Sequence, residues 1–174
     1  MNKDISVELT TTMNKLLQTI CSFPAEKFNS GPFEGSWTAA QVSDHLLKSI
    51  SGVHELLYSP AKPSTRMPGQ KESAIKTMFL DFSTKMKSPE FVLPRNEPLQ
   101  KQELLAALET LKAQLTEAMK TLDLSASCSV FELPGFGEFT REEWIWFAIY
   151  HTQRHTQQLS NIYEMLVDKK QVAV

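Results

Sequence analysis

The stretch Thr140-Arg-Glu-Glu-Trp-Ile-Trp-Phe-Ala-Ile-Tyr-His-Thr-Gln-Arg-His-Thr-Gln-Gln-Leu-Ser-Asn-Ile-Tyr-Glu-Met-Leu166 reads as one long helix. It contains no Gly or Pro and opens on Thr140-x-x-Glu143, a capping-box pattern. Ala148, Thr152, Leu159, Ile162 and Leu166 recur at helical spacing, and His151 and His155 fall on that same face. Side chains four residues apart on a helix lie about 5–6 Å apart at Cβ. Two imidazoles so placed can grip one metal ion, or can simply pack.

Working outward, the other apolar patterns are also helical. Ile5, Leu9, Met13, Leu16, Leu17 and Ile20 predict a first helix from Asp4 to about Ser22, stopped before Pro24. Phe23 to Trp37 is a loop with Pro24, Gly31, Pro32 and Gly35, and its aromatic residues should pack down on the body. Thr38-Ala-Ala-Gln41 is a second capping box and starts a helix running to about Tyr58. Its inward stripe is Val42, Leu46, Ile50, Val53 and Leu57, and His45 lies on or beside that seam. His54 lies about 900° of helical rotation further on, on the opposite side, and reads as a surface residue.

A shorter helix is expected over Lys71 to Met86, after a loop rich in Pro, Ser and Lys. Another long one is expected from about Gln100 to Leu122, with Leu104, Leu108, Leu111, Leu115, Ala118, Met119 and Leu122 inward. The segments Ser88–Pro98 and Asp123–Phe139 read as irregular, the latter with a turn or extended piece at Leu133-Pro-Gly-Phe-Gly137. The tail beyond Asp168 is polar and expected to fray. No segment makes a convincing strand. The economical solution is a single all-α domain over residues 1–174, a four-helix bundle with a short extra helix. The middle connections are too long for simple hairpins, so a crossover is expected.

Composition narrows the function classes. An apolar fraction of 41% and a charged fraction of 22% are those of a globular chain. A net charge of −2 without basic or acidic blocks gives no reason to expect a nucleic-acid or membrane partner. No run approaches the ~20 apolar residues of a membrane span, and the first residues lack a secretory pattern. Cys21 and Cys128 form no motif and read as structural thiols of a cytoplasmic protein.

Histidine carries most of the remaining chemical signal. His45, His151 and His155 are three of the chain's 4 histidines and can all be placed on inward faces. Three neutral imidazoles with one position left open describe a catalytic metal site rather than a structural one. Imidazole suits zinc, nickel and iron(II) alike, so ligand type does not name the metal. Gln41, four residues before His45, and Gln158, three after His155, are candidates to orient the ligands. Glu142 and Glu143 read as first-turn charges that favour the helix dipole. Trp144, Trp146, Phe147 and Tyr150 read as core, with Trp144 on the His151 face. No Gly-x-Ser-x-Gly elbow or glycine-rich phosphate loop is present.

The combination of Ser36-Trp37-Thr38-Ala39-Ala40-Gln41-Val42-Ser43-Asp44-His45-Leu46 with Tyr150-His151-Thr152-Gln153-Arg154-His155-Thr156-Gln157-Gln158-Leu159 resembles the DinB/YfiT-like superfamily of bacterial four-helix metalloenzymes. That family pattern is a Trp-(Ser/Thr) helix start, one His on the second helix and His-x-x-x-His on the last. The resemblance implies a bundle with unusual topology, a divalent metal on His45, His151 and His155, a small-molecule substrate and a homodimer. Characterised relatives of this kind include S-transferases that use low-molecular-weight thiols, and mycothiol-dependent isomerases. A thiol S-transferase is therefore the first functional expectation, with a metal-activated hydrolase beside it. Arg141 and Arg154 are the candidates to hold a thiol cofactor's carboxylate. The alternative is a non-catalytic stress or interaction protein that keeps the same bundle. Exposed Trp146 and Phe147 would be the surface that a dimer covers.

Overall fold

The computed structural model describes residues 4–167; the polar tail beyond Asp168 lies outside them. Six helices occur among these residues: α1 (Ile5–Ser22), α2 (Ala25–Phe28), α3 (Ala39–Leu57), α4 (Glu72–Leu80), α5 (Lys101–Thr121) and α6 (Arg141–Leu166). Four of them are long and form the expected bundle. Local chemistry sets their ends. Asp4 accepts from Ser6 N at the start of α1, and Thr38–Gln41 and Thr140–Glu143 both close reciprocal capping boxes.

The long helices do not follow one another around the bundle. Helix α1 packs on α5 and α6, and α3 packs on the same two. Consecutive α1 and α3 are therefore diagonal, as are α5 and α6, which requires the connections to cross the ends of the bundle. The expected crossover is present. It has a functional consequence, because it sets α3 directly against α6.

Buried side chains are those that the periodicity marks. Leu9, Met13, Leu16 and Ile20 from α1 meet Leu46, Ile50 and Leu57 from α3 and Leu108 and Leu115 from α5. The first half of α6 is buried on nearly every side: Trp144, Ile145, Trp146, Ala148, Ile149, Tyr150 and His151 are all inside. Helix α4 and the β-hairpin described next cover the face that would otherwise meet water.

Three corrections to the sequence expectations follow. First, strands do exist: β1 (Ala61–Lys62), β2 (Ser127–Leu133) and β3 (Gly137–Thr140) form an antiparallel sheet in the order β1-β2-β3. Strand β1 pairs with a partner far away in sequence, Ala61 with Cys128, whereas β2 and β3 form a local hairpin whose turn falls in the Leu133–Gly137 segment expected to turn or extend. Between β2 and β3, Phe136 N bonds Leu133 O at 2.9 Å, and Gly135 holds φ 83° as the third residue of that turn.

Second, α4 ends at Leu80 rather than running to Met86. The Asp81 carboxylate accepts from Ser83 N and from the hydroxyls of Ser83 and Thr84, a side-chain turn that competes with further helix. Third, Trp146 is buried and stacks on Tyr150 at 5.5 Å, while Phe147 is half-buried against Phe79. The apolar face offered as a dimer surface is covered from within the chain. Two smaller expectations also resolve: Cys21 and Cys128 are free thiols, exposed and buried respectively. No helix among the described residues is long and apolar enough to cross a membrane.

Candidate metal centre

Because α3 lies on α6, His45 meets the His151–His155 pair inside the bundle. The Nε2 atoms of His45 and His151 are 3.2 Å apart, and those of His151 and His155 are 3.0 Å apart. All three ligand atoms lie within 4.8 Å of one another, and no carboxylate or thiol joins them among the described residues. Donors bound at ~2.0–2.1 Å to a tetrahedral ion are about 3.3 Å apart, so the observed spacing suits a single first-row metal. His54, as expected, stands elsewhere, its ring against Tyr58 at 5.1 Å.

One tautomer is dictated by a main-chain carbonyl and a second is matched by a side-chain amide. His45 Nδ1 faces the main-chain carbonyl of Val92 at 2.8 Å, and His155 Nδ1 faces the Gln158 side-chain oxygen at 2.7 Å. The Val92 carbonyl can only accept, so His45 Nδ1 carries the proton and its Nε2 presents a lone pair; the Gln158 oxygen matches the same tautomer at His155. His151 Nδ1 has no partner and is buried. One proton on His151 Nε2 could satisfy at most part of this cluster, whereas a cation satisfies all three lone pairs.

Burial also keeps these rings neutral. Desolvation lowers the pKa of His45, and lowers that of His155 to about 4 with help from His45. His151, inside the apolar seam and facing both other histidines, is pushed well below its ordinary value, by burial first. Neutral imidazole is the form that binds metals.

The Val92 carbonyl is delivered by a loop that is clamped to one face of α3. The carboxylate of buried Asp44 accepts from Arg95 N at 2.9 Å, Nε at 3.1 Å and Nη2 at 2.7 Å. Lys48 Nζ bonds Leu93 O at 2.6 Å and pairs with the same carboxylate at 3.2 Å. Asn29 brackets Leu99 with both its amide atoms. Burial raises the Asp44 pKa, but the Arg95 bonds outweigh it and hold the carboxyl below its usual range. A 3-10 turn over Glu90–Val92 then carries the carbonyl to His45.

The remaining sequence candidates divide. Gln158 orients His155 as expected, but Gln41 spends its side chain on the Thr38 cap and on Arg95 O. Arg154 donates to the carbonyls of Phe79, Asp81 and Thr84, and Arg141 to those of Leu57 and Asp123. Neither hydrogen-bonds a histidine, although the Arg154 charge adds to the lowering of the His151 and His155 pKa. Trp144 is core, two rings removed from His151 through Phe147. Sequence reasoning missed Val92 altogether, because a main-chain acceptor leaves no trace in residue type. It also missed Phe79, whose ring lies 5.0 Å from that of His151, and Trp37, 5.1 Å from His45.

Glu143 is more than a first-turn charge. It is fully buried, receives both Arg66 nitrogens at 2.7 and 2.9 Å, and accepts from Thr140 N and Lys71 N. It ties the loop before α4 to the start of α6. The histidine pair lies two and three turns further along that helix.

The chain is similar to known proteins over most of its length. A protein of Bacillus subtilis (strain 168) called uncharacterized protein YuaE is 28% identical over 143 residues, covering 81% of this chain and 86% of the relative. Among solved structures, TT2238, described as a four-helix bundle protein, superimposes with TM-score 0.57 at 19% identity, over 90% of this chain and 96% of that one. YfiT from Bacillus subtilis, described as a probable metal-dependent hydrolase with an unusual four-helix bundle topology, does so with TM-score 0.59 at 16% identity, over 92% and 84%. At such identities these two structures speak for the fold. A family profile described as the DinB superfamily matches residues 8–159, and the chain belongs to that superfamily.

Proposed function

We propose that this protein is a divalent-metal enzyme in which His45, His151 and His155 hold one transition-metal ion. The carrying observation is the convergence of three Nε2 atoms, two of them with their outer nitrogens fixed by acceptors. Three protein ligands leave a coordination position open, which is the arrangement of catalytic sites. An ion there would act as a Lewis acid and lower the pKa of the water or thiol it contacts. The chain's own share is to keep the imidazoles neutral by burial and to fix two of their orientations through Val92 and Gln158. The aromatic rings of Phe79, Phe147 and Trp37 limit water around them.

Hydrolysis by an activated water is the reading we favour over thiol transfer. Both arginines offered for a thiol cofactor's carboxylate are already engaged by main-chain carbonyls. YfiT, which shares the fold, is described as a probable metal-dependent hydrolase.

Elemental analysis of untagged protein, wild type beside His155→Ala, tests the site. Near-stoichiometric metal in the wild type and little in the variant is the expected result. Loaded protein is then offered esters and amides, and separately small thiols with electrophiles. Turnover of the second panel alone would replace hydrolysis with thiol transfer. A wild type that refuses added zinc, nickel and iron would overturn the enzyme reading.

A further inference from the structure

Two of the three histidines have an outer hydrogen-bond partner and the third does not. The Val92 carbonyl stands behind His45 and the Gln158 side chain behind His155, whereas His151 Nδ1 is buried and meets no acceptor. Aromatic rings bound the His151 imidazole instead. Phe79 lies 5.0 Å from it and Phe147 5.5 Å, centroid to centroid, and these two meet each other edge to face at 5.0 Å. Phe147 precedes His151 by four residues and shares its face of α6. Phe79 belongs to α4 and has to be held there from outside.

Arg154 does so from the turn of α6 that follows His151. Its Nη1 donates to the carbonyls of Phe79 and Asp81, at 2.9 Å each, and its Nη2 to that of Thr84 at 2.6 Å. Phe79 lies in the last turn of α4, where carbonyls have no partner within the helix, so the guanidinium finishes α4 and ties it to α6. The first turn of α4 is held as well, by the Tyr150 hydroxyl donating to the Glu72 carboxylate. Residues on either side of His151 therefore pin both ends of the short helix that covers it.

We propose that Arg154 is a positioning residue of the metal centre. By fixing the Phe79 main chain it keeps the Phe79 ring against His151, and packing does for that ligand what hydrogen bonds do for the other two. This inference rests on the metal reading above and adds a third orienting arm to the same site. An imidazole with no acceptor at Nδ1 is free to turn about its side-chain bonds unless neighbouring rings block it. Once turned, His151 withdraws its Nε2 from those of His45 and His155. The Arg154 charge acts in the opposite sense, because a positive charge beside a cation site repels the cation. Positioning and charge thus predict opposite signs when Arg154 is replaced.

Cobalt(II) affinity, measured by competition with a chelator, tests this on wild type, Arg154→Gln, Phe79→Leu and the double variant. Arg154→Gln should bind cobalt about tenfold more weakly, although loss of the charge alone would tighten binding. Phe79→Leu should lose a similar amount, and the double variant no more than the larger single loss, since both changes act through one ring. Proton NMR of the cobalt-loaded protein reads His151 itself. Its Nδ1–H should exchange with water faster in both single variants, while the protons of His45 and His155 keep their wild-type rates. Affinity in Arg154→Gln equal to or above wild type, losses that add in the double variant, or faster exchange at all three rings alike would overturn the proposal and leave the metal centre standing. Should Arg154→Gln fail to fold, Phe79→Leu decides alone: wild-type affinity and wild-type exchange at His151 would sink it. A wild type that does not load cobalt would bring down the metal reading and this inference with it.

Discussion

His45 donates its Nδ1 proton to the carbonyl of Val92, 2.8 Å away on a loop that Asp44, its own neighbour in α3, clamps through Arg95. One turn of helix thus supplies both a candidate ligand and the anchor of the group that aims it. Asp44→Ala should free the loop and lower metal affinity by about tenfold, within the range typical of outer-shell partners. Competition with a chelator measures it. An unchanged affinity would mean that the loop holds its place without the clamp.

Gln158 plays the matching part for His155. Gln158→Leu should weaken metal binding by about tenfold, because the His155 ring loses its Nδ1 acceptor. Gln158→Glu should keep or strengthen it, since a carboxylate accepts the same proton and makes the imidazole more basic. Equal loss in both variants would count against an orienting role.

The metal-free protein should lose stability on mild acidification. Burial depresses the three histidine pKa values, that of His155 to about 4, against about 6.5 in an unfolded chain. Between those values the unfolded state binds more protons, so stability falls as pH drops below about 6.5. His155 alone should cost about 2 kcal/mol by pH 5. Denaturant titrations of metal-free protein at pH 7.5 and 5 should show the loss, and His155→Gln should reduce it.

A second acid transition belongs to Glu143. Burial raises its pKa, but the Arg66 guanidinium and the N–H groups of Thr140 and Lys71 outweigh that and hold it below the usual range. Its contribution is complete above the unfolded value of about 4.5 and is lost as pH falls through the lower folded value. Glu143→Ala leaves Arg66 unpaired and should cost about 3–5 kcal/mol, read from urea unfolding at neutral pH. A loss below 1 kcal/mol would return Glu143 to the role of an ordinary first-turn charge.

The helices and all three candidate histidines were legible, because apolar stripes and the placing of each histidine on a helix face are local signals. Apolar residues at three- and four-residue steps mark α1, α3, α5 and α6, and the Thr38 and Thr140 capping boxes mark starts that the structure keeps. His151 and His155 are neighbours on any helix, whatever surrounds it. Gln158 was visible for the same reason, being one turn from His155.

What sequence could not carry depends on contacts between distant segments. The diagonal order of the long helices places α3 on α6 and brings His45 within 3.2 Å of His151, and no periodicity contains that order. Strand β1 pairs with β2 across a long separation, and its two residues become β-structure only because that partner is held beside them. The same cover hides Trp146 and makes Glu143 a buried anion instead of a surface charge. The Val92 acceptor is main chain, invisible to residue type. Sequence alone determined which segments are helical and which faces are apolar, because those follow from neighbours along the chain. Tertiary structure alone decided which faces meet, and so which histidines share a centre and which oxygens aim them.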